Sequence, residues 1–371
     1  MKKVVFIDVD GFALAQFRSP LLRRLTQEGV EVIACSGEFR STDRDKLEAI
    51  GCRVESIPLQ RTGIDPGADR TTRRRLRDFL TDENPDTIVA RAAKAVAYAL
   101  PEAERIGIER RIGFMTGLGT MFHPGTAREK LLGLIGRKLI LRGLRSANRI
   151  WVLNQDDERT LRRMGANTGP VEIECMDSDG IDTGEFSESD PPGIPTFCFI
   201  GRLLPAKGAR LFLEAAEKIR RTRSDIEFLV AGSPDDHRGT VTTEELHALE
   251  GDHVIRYEGF VDDLQELMSR ISCLVLPSFH EGRPRTIIEA LSSGRPVIVS
   301  DAVGCRDAIQ DGSEGLVVPR GDSTKLAEAI TDLADDPVRM RTMGRRARMT
   351  AVERYGEAAV VERYIRSMRN L

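Results

Sequence analysis

Short apolar runs alternate with segments of helical periodicity along the whole chain. This is the pattern of repeated β–α–β units around a mainly parallel sheet. It predicts strands at 4–9, 30–35, 53–57, 87–90, 111–115, 149–153 and 171–175, then at 197–200, 226–231, 254–257, 271–276, 297–299 and 315–318. It predicts helices at 19–28, 69–82, 93–105, 126–146, 156–164, 209–221, 323–334, 338–355 and 358–368.

A segment rich in Asp, Ser, Gly and Pro, residues 177–195, separates the two series of strands and predicts a linker. A chain of 371 residues is long enough for two domains of ordinary size. We therefore expect an α/β protein of two doubly wound, Rossmann-like domains that face a cleft. The expected domains are 1–185 and 186–350, and a C-terminal helix in 351–371 is expected to return to the first domain.

Bulk properties narrow the class of protein. The six cysteines are scattered without a C-x-x-C pair, which favours a reducing compartment over a disulfide frame or a zinc site. The first apolar run is too short for a signal peptide, and no apolar run approaches the roughly 18 residues of a membrane span. We therefore expect a cytoplasmic protein. Neither half carries G-x-G-x-x-G between a strand and a helix, which disfavours a nicotinamide enzyme.

Two carboxylates, Glu281 and Glu289, flank a predicted loop that enters a helix directly after the apolar run 271–276. Pro284 suits the first helical turn, where its missing N–H costs nothing. The N–H groups of Thr286 and Ile287 would then point out of the helix start, where an anion is favoured. Both carboxylates could face one crevice at the carboxyl end of a strand, where open α/β sheets bind ligands.

A basic pair, Arg202 and Lys207, lies between the predicted strand 197–200 and the helix that follows it. Arginine offers a planar fork of donors and lysine a mobile point charge. The pair is therefore well placed to hold a diphosphate.

Together these segments resemble the signature of retaining glycosyltransferases of family 4, which have the GT-B fold, and the resemblance extends over 180–334. It implies that Arg202 and Lys207 hold the diphosphate of a nucleotide-sugar. It also implies that Glu289 binds the ribose and Glu281 the donated sugar, since a carboxylate can accept from two neighbouring hydroxyls. Glu281, Arg202 and Lys207 are thus the expected catalytic group.

The resemblance implies a larger set of donor contacts. Main-chain groups of Val261 would read the edge of the base, and Gly11, after the first strand, would allow close approach to the donor. The full expected set is Arg202, Lys207, Val261, Glu281, Gly282, Arg285, Thr286, Ile287, Glu289 and Gly11.

The implied reaction proceeds with retention and needs no metal and no cofactor, because the cations and helix N–H groups can neutralise the departing diphosphate. The acceptor hydroxyl attacks from the leaving group's own face, and a diphosphate oxygen takes its proton. The sequence Asp8-Val9-Asp10 has the spacing of a metal-binding motif, but it lies in the half expected to bind the acceptor.

Segments 85–98 and 116–122 resemble a narrower group, which transfers a sugar to polyprenyl-diphosphate-linked acceptors of surface glycans. That group commonly uses a UDP-sugar such as UDP-N-acetylgalactosamine. The implied acceptor-side candidates are Arg18, Lys94 and Thr116. Arg18 is expected at the mouth of the cleft, before a helix with Ser19 as N-cap.

The chain departs from this narrower group. Many relatives carry His where this chain has Val89 and Arg91, and His or an acid near Thr116. The nearest histidine is His123, a few residues later. Acceptor recognition is therefore rearranged, or activity is reduced.

A basic segment, 110–150, contains nine Lys and Arg residues and one acid, Glu129. Leucines mixed with these cations fall at helical spacing, and Leu134 and Ile135 are expected on the core face. The expected contacts with an anionic membrane surface are Arg137, Lys138, Arg142 and Arg145. Nucleic acid is the competing partner, but the chain is not basic overall and lacks interleaved aromatic residues here.

Two alternatives remain open. One is a different GT-B enzyme, either a nucleotide-sugar epimerase or a transferase to a soluble acceptor. The other is a non-catalytic module that binds a nucleotide-sugar, which the residues at 89, 91 and 116 would favour. The main expectation is a transferase on the inner face of the cytoplasmic membrane.

Overall fold

The computed structural model describes residues 1–59, 66–118, 127–169, 171–235 and 239–371. The chain forms two compact units, one of 1–180 with 358–371 and one of 181–357. It therefore passes between the units twice. The first passage lies five residues before the expected boundary at 185, and the second lies seven residues after the one at 350.

The first unit is built on a seven-stranded parallel sheet in the order β3-β2-β1-β4-β5-β6-β7. Its strands are β1 (Lys3–Ile7), β2 (Glu31–Ser36), β3 (Arg53–Ser56), β4 (Thr87–Arg91), β5 (Arg110–Met115), β6 (Arg149–Val152) and β7 (Glu172–Cys175). Its helices are α1 (Gly11–Ala13), α2 (Ser19–Gln27), α3 (Ser41–Ala49), α4 (Pro66–Glu83), α5 (Ala93–Arg105), α6 (Ala127–Arg145), α7 (Gln155–Arg163) and the C-terminal α14 (Glu357–Arg369).

The helix expected to start at Ser19 starts earlier. The Asp10 side chain caps α1 by accepting from the Phe12 N–H at 3.1 Å, and a π-helical turn, Leu14–Arg18, joins α1 to α2. Pro20 sits in the first turn of α2, where the chain can dispense with its N–H. The expected N-cap role of Ser19 is therefore wrong, because Asp10 already caps the helix.

The packing of α6 differs from the expected face. Leu134 and Ile135 are 56% and 43% exposed, whereas Ile140 and Leu144 are buried. At Gly143 the helix comes so close to α5 that a Cβ atom would lie 2.3 Å from the Val96 carbonyl oxygen. The core face of α6 is therefore set by this close contact, and its two exposed apolar residues belong to another face.

The C-terminal helix α14 packs on the sheet of the first unit. Val360, Ile365 and Met368 are buried in that unit's core. The Tyr364 hydroxyl donates to the Ser178 carbonyl at 3.1 Å, and the Trp151 indole N–H donates to the Ser367 hydroxyl at 2.8 Å. The end of the chain thus completes a core made mainly by residues 1–180.

The second unit holds a six-stranded parallel sheet in the order β10-β9-β8-β11-β12-β13. Its strands are β8 (Thr196–Ile200), β9 (Glu227–Ala231), β10 (Arg256–Gly259), β11 (Cys273–Leu276), β12 (Val297–Ser300) and β13 (Gly315–Val318). Its helices are α8 (Ala209–Arg220), α9 (Thr243–Gly251), α10 (Leu264–Ser269), α11 (Arg285–Ser292), α12 (Ser323–Ala334) and α13 (Pro337–Thr350).

The α/β prediction is confirmed, and all thirteen expected strands are present with ends shifted by at most two residues. Strands β8, β11 and β12 are buried at every position, as expected of parallel strands covered on both faces. Apart from the short α1, three helices were not predicted: α3, α9 and α10. Each buries only one or two side chains, so their apolar periodicity is faint. Within the described residues, no helix is both long and apolar enough to cross a membrane.

Gly143→Ala should destabilise the first unit, because the added methyl group would press on the α5 backbone at Val96. We expect a loss of roughly 1–3 kcal/mol, the usual cost of overpacking, measured by urea denaturation. Gly133→Ala is the matched control on the same helix, since nothing lies within 4 Å of its Cβ position. It should be stabilising by about 0.5–1 kcal/mol. Equal effects of the two substitutions would contradict this account of the α5–α6 contact.

Candidate functional site

The order of the second sheet reverses between β8 and β11, which lie side by side with Phe197 opposite Cys273. In open α/β sheets, ligands bind beside the carboxyl ends of the strands at such a reversal. The segments that leave β8 and β11 at this edge carry the basic motif and the two-carboxylate motif. Residues far apart in sequence are thereby brought to one place.

An ion pair joins the two motifs. The Lys207 ammonium lies 2.6 Å from Glu281 Oε1. The Ser278 hydroxyl donates to the same carboxylate oxygen at 2.9 Å and lies 3.3 Å from the Lys207 carbonyl oxygen. The Lys207 and Glu281 side chains keep 25% and 11% of their surface exposed, so both remain within reach of a ligand. Ser278, which the sequence did not single out as a site residue, holds the pair in place.

Gly208 explains why the loop after β8 can approach the loop after β11. It has φ of +75°, and a Cβ atom there would lie 2.1 Å from the Pro277 carbonyl oxygen. Only glycine fits such a conformation and such a distance. The glycine that follows Lys207 in the motif therefore sets the position of the lysine relative to Glu281.

Helix α11 begins at Arg285. Pro284 is its N-cap, just before the first turn in which it was expected. Thr286 and Ile287 are its second and third residues, whose N–H groups have no partner within the helix. The Ile287 side chain is buried in the core, so only its main chain can serve a ligand. The helix start is thus compatible with an anion beside Lys207.

Glu289 lies in the interior of α11 and is only 3% exposed. Its Oε1 accepts from the Arg285 Nε at 2.9 Å, while its Oε2 is buried without a hydrogen-bond partner among the described residues. Burial raises the pKa of Glu289 above its ordinary value, and the Arg285 charge offsets part of that rise. A buried carboxylate oxygen of this kind can accept a hydrogen bond from a ligand hydroxyl.

The remaining expected residues of this unit are more open. The Arg202 side chain is 60% exposed and lies 3.5 Å from Asp235, so it contacts neither of the two glutamates. Val261 follows β10 and packs against the core, which leaves its main chain for recognition. Gly282 is half-buried in the loop next to Glu281.

The first sheet reverses between β1 and β4, and an ion pair also occupies that point. Arg91 donates to the fully buried carboxylate of Asp8. Burial raises the pKa of Asp8, and the Arg91 charge and hydrogen bond counter that rise. At this position the resemblance to the narrower group implies His, and here the Arg91 guanidinium is engaged within the unit.

The expected position of Arg18 at the mouth of a cleft is wrong, because Arg18 is only 2% exposed. The π-helical turn that ends at this residue directs it inward. Its guanidinium lies 2.5 Å from the Asp179 carboxylate and 4.4 Å from the ring centre of Phe114. Through these two contacts Arg18 stabilises the core of the first unit.

The other first-half candidates lie at the same end of the sheet. Lys94, near the start of α5, pairs with Asp69 at 3.1 Å. Thr116 directly follows β5 and is half-buried. A Cβ atom on Gly11 would lie 2.4 Å from the Glu38 carbonyl oxygen, so internal packing accounts for this glycine. His123 lies outside the described residues.

The expected membrane contacts lie on α6. Lys138, Arg142 and Arg145 are exposed and Arg137 is half-buried. Arg145 donates from Nε to the Gly165 carbonyl at 2.9 Å. The other two exposed cations share a face of the helix with exposed Leu134.

In the part of the chain that the structure describes, no group of three or more His, Cys, Asp and Glu side chains is arranged to hold a metal ion.

Two family models match the chain. The model described as "Glycosyl transferases group 1" matches residues 194–336, and the "Glycosyl transferase 4-like domain" matches residues 14–173. The first range contains β8 to β13, the strands of the second sheet, and the second range contains β2 to β6 of the first sheet.

Relatives of full length are also similar. EpsD of Bacillus subtilis, a glycosyltransferase by name, is 31% identical over 97% of this chain and 94% of that protein. The N,N'-diacetylbacillosaminyl-diphospho-undecaprenol alpha-1,3-N-acetylgalactosaminyltransferase of Campylobacter jejuni is 24% identical over 98% of this chain and 97% of its own length.

Solved structures share the fold. Anabaena HepE in complex with UDP superposes with a TM-score of 0.80 at 16% identity, over all of both chains. Sucrose-phosphate synthase from Thermosynechococcus elongatus superposes with a TM-score of 0.82 at 18% identity, over 100% of this chain and 99% of that one.

Glu289→Gln should stabilise the protein at neutral pH. The raised pKa of Glu289 means that the folded state favours the protonated carboxyl, so stability is lost as the pH rises through the folded pKa. The neutral amide removes this loss. We expect a gain on the order of 1 kcal/mol at pH 7.5, or about 2–4 °C in Tm for a unit of this size, and a shrinking gain toward pH 4.

Thermal unfolding between pH 4 and pH 8 measures this effect. Glu328→Gln is the control, because Glu328 lies half-exposed on α12 beside Lys325. It should change stability by less than about 0.5 kcal/mol. A Glu289→Gln gain that is independent of pH would show that the buried charge is not its cause.

Proposed function

Because the chain belongs to the group 1 glycosyltransferases of family 4 with the GT-B fold, we propose that it transfers a sugar from a nucleotide-sugar to a polyprenyl-diphosphate-linked glycan. The second unit would bind the donor and the first unit the acceptor. The observation that carries the proposal is the Lys207–Glu281 pair at the reversal of the second sheet. One cation for a phosphate and one carboxylate for a sugar lie side by side there.

The donor diphosphate would be neutralised by Lys207 and by the N–H groups of Thr286 and Ile287 at the start of α11. The Lys207 ammonium is partly exposed at that edge. A phosphate can replace Glu281 as its partner. Arg202, exposed and only weakly paired, is free to turn toward the same diphosphate. Arg285 is already engaged with Glu289, so its role is to orient that carboxylate.

The two carboxylates would bind different parts of the donor. Glu289 has one oxygen bound to Arg285 and one that accepts from no described residue, which suits the hydroxyls of a ribose. Glu281 would accept from hydroxyls of the transferred hexose when Lys207 moves to the phosphate. The UDP and UDP-glucose bound by HepE support a uridine donor, and the name of the Campylobacter relative supports an N-acetylhexosamine.

Transfer would retain the configuration at the anomeric carbon. The acceptor oxygen forms a bond to that carbon on the face from which the diphosphate departs. The bond from the carbon to the diphosphate oxygen breaks, and the acceptor proton passes to a diphosphate oxygen. No side-chain base is then required, and Lys207, Arg202 and the helix N–H groups stabilise the charge that develops.

The acceptor assignment rests on the first unit. The Campylobacter relative, by its name, acts on an undecaprenol-linked diphosphate sugar and aligns over nearly the whole chain. Lys94 lies at the carboxyl end of β4, near the reversal of that sheet. The exposed cations Lys138, Arg142 and Arg145 would contact an anionic inner leaflet, where such an acceptor is held.

One observation favours a second candidate, a module that binds a nucleotide-sugar without transferring it. Arg91 stands where the resemblance to the narrower group implies His, and it is committed to Asp8. Such a module would bind the donor but produce neither glycolipid nor free sugar. The same assay separates the two functions.

The decisive experiment has two parts. A thermal-shift screen against nucleotides and nucleotide-sugars identifies the donor, because a ligand that binds only the folded form raises its Tm. The stabilising donors are then incubated with polyprenyl-diphosphate sugars in detergent, and the products are identified by mass spectrometry. Failure to form any glycolipid with a full panel of donors would contradict the proposal. Transfer only to a soluble sugar would show that the acceptor is not a polyprenyl-diphosphate-linked glycan.

Lys207→Ala should weaken donor binding roughly tenfold to hundredfold, the usual loss for a charge-assisted contact. Glu281→Ala should lower kcat/KM by about 10²–10³ through loss of contacts to the sugar. Calorimetric titration and initial rates measure the two effects. Lys218→Ala is the control, since Lys218 lies at the other end of α8 and contacts Ser323 and Thr324. Wild-type kinetics in both site variants would show that the site is misplaced.

Activity should persist after dialysis against EDTA, because the proposed neutralisation of the diphosphate uses side-chain cations and helix N–H groups. Initial rates before and after dialysis, with and without added Mg²⁺ or Mn²⁺, measure the dependence. Loss of activity that only a divalent cation restores would overturn the metal-independent scheme.

A further inference from the structure

A groove of the first unit lies between α4 and α6. Both helices pack on α5, and the groove between them has a volume of about 830 Å³. Its two walls differ in chemistry.

Arginines of α4 form one wall. Arg73 and Arg77 both donate to Glu102, a fully buried carboxylate, at 2.7 Å. Burial alone would raise the pKa of Glu102, but the hydrogen bonds from the two arginines outweigh it and lower that pKa. Arg70 and Arg74 are exposed and have no ion pair with any described residue. The wall therefore carries two fixed and two available guanidinium groups.

Apolar side chains of α6 form the opposite wall. Ile135 is 43% exposed and lines the groove together with half-buried Leu139. Removal of the exposed Ile135 surface from water would be favourable. An apolar chain that lay along this wall would bury it.

The groove reaches the acceptor end of the sheet. Tyr98 and Asp69 line it, and Asp69 pairs with Lys94 near the start of α5. Helix α5 begins just after β4 ends, beside the reversal of the first sheet. A ligand in the groove can therefore extend one end toward that edge.

We propose that the α4–α6 groove binds the lipid part of the acceptor, with its diphosphate on Arg70 and Arg74 and its first isoprene units on Ile135 and Leu139. This rests on the proposed function, whose acceptor is a polyprenyl-diphosphate sugar. Guanidinium groups match phosphate oxygens in geometry and charge. A nucleic acid or a free polyphosphate would use the arginine wall and leave the isoleucine wall in water, whereas a prenyl diphosphate uses both.

The two walls predict separable defects in the full-length enzyme. Transfer is measured with one sugar carried on a long polyprenyl diphosphate or on methyl diphosphate, which has no chain to reach the apolar wall. Arg70→Gln combined with Arg74→Gln should raise KM roughly tenfold to hundredfold for both acceptors. Ile135→Asn should raise KM about threefold to tenfold for the long acceptor alone. Donor KM should stay unchanged in all variants.

Arg75→Gln and Val338→Asn are the controls. Arg75 is exposed on α4 without lining the groove, and Val338 is 64% exposed on α13. Both should behave as wild type. If the wild type is active and the groove variants match these controls, the groove assignment is wrong and the proposed function stands. If the wild type uses neither acceptor, the groove assignment and the proposed function are both wrong.

A bilayer contact gives a different result. In that case Ile135→Asn would reduce binding to acceptor-free vesicles of anionic phospholipid, and KM in detergent would not change for either acceptor. That outcome would overturn the assignment of the groove to the acceptor.

Discussion

The reversal of strand order in the second sheet is the constraint on which the site depends. Placing β11 next to β8 brings the turn after β8 against the loop after β11, so Lys207 and Glu281 meet although they are distant in sequence. The approach is possible because Gly208 has a left-handed conformation against Pro277. Ser278 then binds both partners. A change in any of these elements would move the ammonium and the carboxylate apart.

The first unit uses the same topology differently. Its reversal lies between β1 and β4, and the pair there is Asp8 with Arg91, which is sealed in the interior. A buried pair is costly to break because either charge alone would lack a partner. The half-open pair of the second unit can exchange partners with a ligand, whereas the pair of the first unit fixes the ends of its strands. If the first unit binds the acceptor as proposed, the faces of α4, α5 and α6 are then the surfaces left for recognition.

The sequence predicted the strands because parallel strands buried on both faces leave continuous apolar runs. It missed α3 and α9 because these helices bury almost nothing, although Thr242 and Glu245 form a capping box that marks the start of α9. The two motifs after β8 and β11 were informative because each combines proline, glycine and charged residues at a fixed spacing in the turn between a strand and a helix. Arg18 was misplaced because a π-helical turn rotates its side chain, and no composition signal announces such a turn. The exposed face of α6 was mistaken for core because its leucines obey the same period as the buried residues.

The ion pair of Lys207 with Glu281 also bears on how the spent nucleotide would leave. Under the proposed function, a complete nucleotide-sugar would compensate both groups, since its phosphate would take the ammonium and its sugar hydroxyls the carboxylate. After transfer, the nucleoside diphosphate would still occupy Lys207, whereas Glu281 would have lost the sugar and kept its hydrogen bond from Ser278. The carboxylate would then compete with the phosphate for the same ammonium. Re-formation of the internal pair would therefore help to expel the product and limit product inhibition.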